Sequence, residues 1–180
     1  MLIGIIGLNG CGKDTAADYI ALKLSCKKVS LSDIVRKEVS LHGLDSSNRD
    51  DLNLVSESLR KTQGPDYLVK RALKDFAPND NLVLSSFRHP LEITLLKSKK
   101  GVIIRIDANQ KTRYERTRLR LRDVGDSFEK FIEKENRELS NPDPEKMQIA
   151  KCLKMADFVI DNNDSRDSLF SKIDSLIKKL

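Results

Sequence analysis

Gly7-Leu8-Asn9-Gly10-Cys11-Gly12-Lys13-Asp14-Thr15 follows directly on the apolar run Leu2 to Ile6 and opens a helical pattern, and no other stretch restricts the possible folds as strongly. The spacing is G-x-x-x-x-G-K. Three glycines let backbone N–H groups converge on phosphate oxygens, the following helix adds its positive N-terminal end, and Lys13 supplies a mobile ammonium. The competing reading is a Gly-rich turn that merely links strand to helix. Asp14 departs from the pattern, because Ser or Thr usually offers a hydroxyl to Mg²⁺ at this place. Either Asp14 meets the ion, directly or through water, or Thr15 substitutes. Cys11 sits near a helix N-terminus, where a thiolate is favoured. The reading adopted for it is a small residue filling a tight loop, with a redox-sensitive thiol as the alternative.

A strand feeding such a loop belongs to an α/β sheet, and the rest of the chain has that rhythm. Short apolar runs at Leu2 to Ile6, Lys28 to Leu31, Leu82 to Ser85, Val102 to Ile106 and Phe158 to Asp161 predict five buried parallel strands. Helices are expected at about Lys13 to Leu24, Asp33 to His42, Asp50 to Thr62, Asp66 to Phe76, Leu91 to Ser98, Lys111 to Arg120, Ser127 to Ser140, Pro144 to Met155 and Ser165 to Leu180. Ser32, Pro65, Ser127 and Ser165 supply start signals. With 180 residues and no repeat, low-complexity tract or long linker, one domain over 1–180 is expected. A chain of this size buries about 70% of its unfolded surface and needs no covalent staple.

Cys11, Cys26 and Cys152 form no C-x-x-C pair, so neither a disulfide framework nor a zinc site is readable. No apolar stretch approaches about 20 residues, which predicts a cytoplasmic protein without a membrane partner. The net charge of +6 is uneven. Between Arg105 and Arg122 seven basic residues face only Asp107 and Glu115, a pattern suited to anions or to a solvated helix face. Arg36 and Arg88 each stand just past the C-terminal end of a predicted strand, where open α/β sheets bind ligands. His42 reads as a helix end, His89 as a turn before Pro90, and Tyr67 as packing with a secondary reading in an acceptor pocket.

Taken together, Gly7-x-x-Gly10-x-Gly12-Lys13-Asp14-Thr15, Ser32-Asp33-x-x-Arg36, Phe87-Arg88-His89-Pro90, Thr112-Arg113-Tyr114-Glu115-Arg116 and Ala156-Asp157-Phe158-Val159-Ile160-Asp161-Asn162-Asn163 resemble the nucleoside monophosphate kinase superfamily. Within it the chain is most similar to the adenylate-kinase-related and dephospho-coenzyme A kinase-like small P-loop kinases. The resemblance implies a five-stranded parallel sheet in order 2-3-1-4-5 flanked by helices, acceptor-binding helices at about 32–77, and a small helical lid at about 116–140. It implies ATP and Mg²⁺, with the nucleotide over Gly7, Asn9, Gly10, Cys11, Gly12, Lys13, Asp14 and Thr15, and Asn162 and Asn163 beside the adenine. Arg36 and Arg88 would hold the acceptor. Arg116, Arg120 and Arg137 would reach the transferring phosphoryl group from the lid side.

One difference from that pattern matters: Ser85 and Ser86 stand where relatives carry an Asp at the end of the third strand. With Asp14 new in the loop, the expectation is that the carboxylate has moved rather than vanished, an inactive binder being the other outcome. The leading reading is a kinase moving the γ-phosphoryl group of ATP to a nucleotide-like acceptor, a nucleoside or deoxynucleoside monophosphate. Dephospho-coenzyme A kinase is the alternative, with Asp33 as general base for a ribose hydroxyl. A nucleotide-dependent RNA-binding or regulatory switch is a third reading, disfavoured because Arg113, Arg116 and Arg120 cluster on one helical face without interleaved aromatics. Small-molecule nucleotide partners and a monomer or homodimer are expected.

Overall fold

The chain alternates strand and helix along its length, and the strands pair only with parallel neighbours. The computed structural model describes residues 1–74, 76–77, 80–119, 127–139, 141, 143 and 146–180. Five strands, β1 (Leu2–Ile6), β2 (Lys27–Ser30), β3 (Leu82–Ser85), β4 (Val102–Asp107) and β5 (Phe158–Asp161), form one sheet in the order β2-β3-β1-β4-β5. Every pairing is parallel, with Ile5 opposite Ser85 on one side and Ile104 on the other. This is the implied order. It puts the loop after β1 at the point where connections run off to opposite sides, which is where such sheets bind ligands.

The helices are α1 (Lys13–Lys23), α2 (Leu31–Leu41), α3 (Arg49–Gln63), α4 (Tyr67–Leu73), α5 (Pro90–Ser98), α6 (Gln110–Leu119), α7 (Phe128–Leu139), α8 (Ile149–Lys154) and α9 (Arg166–Ile177). Side chains alternate across the sheet with period two and so build two cores. Ile3, Ile5, Val83, Ile104 and Ile106 meet α1 and α9 through Ala16, Ala17, Ile20, Leu169 and Ile173. On the other face Leu82, Leu84, Ile6 and Ile103 meet α2 to α5 and α8. The result is a helix–sheet–helix sandwich. Among the described residues no helix is long and apolar enough to cross a membrane.

Two local expectations change. Leu31, read as the last residue of the second strand, instead opens α2, and the N-cap is Ser30 rather than Ser32. The cause is helical spacing: Leu31, Val35 and Val39 form one buried stripe at i, i+4 and i+8. Five fully buried strands were also expected, yet β5 leaves Phe158 and Val159 exposed and buries only Ile160. An edge strand has a neighbour on one side only, and β2 at the other edge holds no fully buried residue. The expected start of α8 at Pro144 and the lid residues 120–126, including Arg120, lie outside the described residues.

Gly4 shows how tightly the central strand is enclosed. A Cβ there would lie 2.6 Å from Ile103 Cδ1, 2.8 Å from Leu96 Cδ2 and 3.0 Å from Phe87 Cε2. Gly4→Ala therefore overpacks the core, and we expect a stability loss of about 1–3 kcal/mol, measured by urea unfolding.

Candidate active site

The loop between β1 and α1 passes so close to its neighbours that Gly10 and Gly12 have no room for a side chain. Gly10 has φ +77°, and a Cβ there would lie 2.3 Å from the Arg113 carbonyl oxygen. Gly12 has φ +92°, and its Cβ would lie 2.3 Å from Asn162 Nδ2. Both residues occupy the left-handed region that only glycine enters without strain, and both are pressed by neighbours. Asn162 holds the loop from below: its Nδ2 donates to the Cys11 carbonyl at 2.7 Å and its backbone N–H to the Asp107 carbonyl at 2.7 Å. Asn162 therefore clamps the loop, a role the sequence did not suggest. Gly7 closes the start, where a Cβ would approach the Ile106 carbonyl to 2.4 Å.

Cys11 fills the loop interior and is buried. Burial pushes its thiol above the ordinary range, with nearby Lys13 pulling the other way. Burial also raises Cys26, and it pushes Cys152 up to about 12. The thiolate that a redox role needs is thus disfavoured at Cys11, in keeping with a packing residue.

A cleft of about 710 Å³ opens beside the loop, lined by Asn9, Gly10, Lys13 and Asp14. Arg36 from α2, Arg60 from α3 and Arg88 from the turn after β3 line the same cleft. Lys13 is only 11% exposed at its side chain and lies 3.7 Å from Asp14, which is 44% exposed. A smaller cavity of about 300 Å³ lies behind the loop, bounded by Gly12, Thr15, Arg116 and Asn162. Asp14 and Thr15, about 100° apart on the helix, thus face different cavities. Among the described residues no group of three or more His, Cys, Asp or Glu could hold a metal ion.

Several sequence-derived residues take other places. Asp33 is absent from the cleft lining; its carboxylate accepts from Arg36 Nη1 at 2.6 Å and is 60% exposed. Tyr67 packs against the core under α2 to α5. Arg137 is paired with Glu133 at 2.5 Å and is 74% exposed, away from the cleft lining. Arg116 does not reach towards the large cleft: its Nη1 donates to the Asn162 carbonyl at 2.8 Å and its Nη2 to the Asp164 carbonyl at 3.3 Å. Asn163 accepts from the Asn109 backbone N–H at 2.8 Å, joining the loops after β4 and β5.

Two buried ion pairs frame the cleft, and neither was read from the sequence. Glu92, 0% exposed, accepts from Arg60 Nη2 at 3.2 Å and from the backbone N–H groups of Arg88 at 2.7 Å and His89 at 3.1 Å. It thereby fixes the turn that presents Arg88. His89 is the N-cap of α5 in a capping box with Glu92, a more specific role than a turn residue. The signal was available as an acidic residue three positions after the cap. On the other side Arg113 Nη2 donates to Glu135 Oε1 at 2.8 Å and its Nη1 to Glu135 Oε2, while Nε donates to the Ala108 carbonyl at 2.9 Å. This bidentate pair joins α6 to α7. Between the two pairs, Ser86 holds φ +70°, a strained value for a residue with a side chain, at the cleft wall.

The AAA domain family model matches residues 3–140. A UPF0200 protein of Methanococcus vannielii is 33% identical over 185 residues, spanning 99% of this chain and 96% of that protein. The chain belongs to the UPF0200 family. An Archaeoglobus fulgidus relative, named a UPF0200/UPF0201 protein, is 29% identical across 99% of this chain, which spans 55% of that longer protein. Among solved structures, shikimate kinase from Bacteroides thetaiotaomicron superposes with a TM-score of 0.65 at 16% identity, covering 100% of this chain and 99% of that one. TT1252 from Thermus thermophilus gives 0.61 at 19% identity, covering 100% and 97%. These likenesses identify the fold as that of P-loop kinases.

The buried carboxylate yields a stability prediction. Glu92→Ala leaves Arg60 buried and unpaired, with an expected loss of about 3–5 kcal/mol in chemical denaturation. Arg60→Met combined with Glu92→Leu removes both charges and should lose much less.

Proposed function

We propose that the chain is an ATP-dependent phosphotransferase whose acceptor is nucleotide-like, a nucleoside or deoxynucleoside monophosphate. The observation that carries this reading is that Lys13 of the loop and Arg36, Arg60 and Arg88, from three separate elements, line one cleft. Phosphoryl transfer asks a protein mainly to position two anions and neutralise the charge that develops between them. Backbone N–H groups of Gly10 to Lys13 would receive the donor phosphates, and Lys13 would offset charge on the β and γ oxygens. The guanidinium forks of Arg36 and Arg88 suit a dianionic acceptor phosphate. Asp14 or Thr15 would hold Mg²⁺, which would supply further neutralisation of charge on the donor phosphates. We assign the whole of 1–180 to one catalytic domain, with the acceptor under helices 32–77 and the lid within 116–140.

The position of Asp33 favours this acceptor over dephospho-coenzyme A. A ribose hydroxyl benefits from a general base, worth about 10²- to 10⁴-fold. Asp33 is engaged with Arg36 outside the cleft lining. A monophosphate acceptor is already an ionised oxygen nucleophile and needs no base. The RNA-binding reading is weakened by the basic segment's own partners: Arg105 pairs with Asp107, Arg113 with Glu135, Arg116 with two carbonyls, and Arg118 stacks over Tyr114. A phosphate-tracking face would present such groups outward together.

The test is an acceptor screen with ATP and Mg²⁺ across ribo- and deoxynucleoside monophosphates and dephospho-coenzyme A, read as ADP release. Release with none of them, from folded protein, counts against the reading. Lys13→Ala should lower turnover about 100-fold or more. Arg36→Lys and Arg88→Lys should each raise the acceptor KM on the order of tenfold, with the KM for ATP nearly unchanged. Equal effects on both substrates would place the acceptor elsewhere.

A further inference from the structure

P-loop phosphotransferases hold Mg²⁺ with two kinds of protein ligand, a hydroxyl from the start of the helix after the loop and a carboxylate from a neighbouring strand. This chain has both kinds in the opposite places. The residue after Lys13 is Asp14, and β3 ends in Ser85. We infer that the two ligands have been exchanged, so that Asp14 supplies the carboxylate of the metal site and Ser85 its hydroxyl. The inference rests on the phosphotransferase reading above.

Three observations support it. First, Ser85 Oγ is a buried hydroxyl with no hydrogen-bond partner in a residue only 1% exposed. Such a group costs about 1–3 kcal/mol unless something completes it. Its register explains where it lies. Ser85 pairs with Ile5, two residues before the loop begins. Strand alternation puts it on the face of Val83, Ile3 and Ile5, the face that α1 covers. Secondly, Asp14 is the second residue of α1 and lines the large cleft with Lys13, whose ammonium is 3.7 Å away. A cation and a carboxylate side by side at the mouth of a phosphate loop have separate tasks, one meeting the phosphate oxygens and the other a metal on them. Thirdly, the other candidate hydroxyls are placed or engaged differently: Thr15 lines the smaller cavity with Arg116 and Asn162, and Ser86, which lines the large cleft, accepts from Ser30 Oγ at 3.3 Å. One carboxylate and one hydroxyl from the protein are a sufficient set for Mg²⁺. That ion typically takes one or two carboxylates and completes its shell with water and phosphate oxygens.

The metal contribution is measured by titrating ATP in EDTA and in saturating Mg²⁺ with a calorimeter, with Mn²⁺ paramagnetic resonance as an activity-free readout of the ion. Wild type should bind ATP more tightly with Mg²⁺. Asp14→Asn should lose that gain by about tenfold or more, while binding in EDTA stays equal or tightens because a charge repelling polyphosphate has gone. Ser85→Ala should lose part of it. Asp14→Ser combined with Ser85→Asp restores the usual arrangement and should recover the gain. If Ser85→Asp does not fold, the Asp14→Asn and Ser85→Ala results still decide. An undiminished Mg²⁺ gain and Mn²⁺ signal in Asp14→Asn overturns the exchange while leaving the phosphotransferase reading intact. Failure of wild type to bind ATP in either condition overturns both.

Discussion

The approach of the phosphate loop to the segments after β4 and β5 is the contact on which the cleft depends. The loop can form its cradle only if it passes between the Arg113 carbonyl and the Asn162 side chain, and at Gly10 and Gly12 the clearance is smaller than a methyl group needs. Asn162 then seals that approach by donating to the Cys11 carbonyl. The residues that shape the cradle therefore lie more than a hundred positions apart in the chain. Glycine is required here for two reasons at once, a left-handed backbone and a close neighbour.

The two buried ion pairs set the walls of the cleft at a cost. Removing charges from water is expensive, and a hydrophobic replacement of such pairs is often neutral or stabilising. Their value here is geometric. Glu92 gathers Arg60 and two backbone N–H groups, so α3 and the turn carrying Arg88 share one anchor. Arg113 and Glu135 do the same for α6 and α7, and the Arg113 carbonyl is the one that presses on Gly10.

The phosphate loop, the strand–helix alternation and most helix positions were legible because they are written locally. A G-x-x-x-x-G-K spacing after an apolar run, and a period of 3.6 or 2, need only neighbours in sequence to be read. Leu31 was misread because the alternation of Val29 and Leu31 over four residues does not distinguish a strand end from a helix start. The stripe with Val35 and Val39 resolves it once α2 is seen to bury that face. Arg60 and Glu92 were invisible for a different reason. A charged residue on a helix reads as solvated unless its partner, here 32 positions away, is known to be brought beside it.

The sequence by itself determined that a G-x-x-x-x-G-K loop joins the first strand to the first helix, and that apolar strands alternate with amphipathic helices. Those properties depend on backbone freedom at glycine and on hydrophobic periodicity, both local. Tertiary structure alone decided which charges line the cleft and which lie elsewhere, with Arg60 both lining it and holding Glu92. Arg36, Arg60 and Arg88 line the cleft, whereas Asp33, Arg116 and Arg137 are engaged elsewhere, and Asp14 and Thr15 are sent to separate cavities. The physical reason is that a charged side chain takes the partner that long-range strand pairing and helix packing put within reach, and sequence spacing carries no record of that distance.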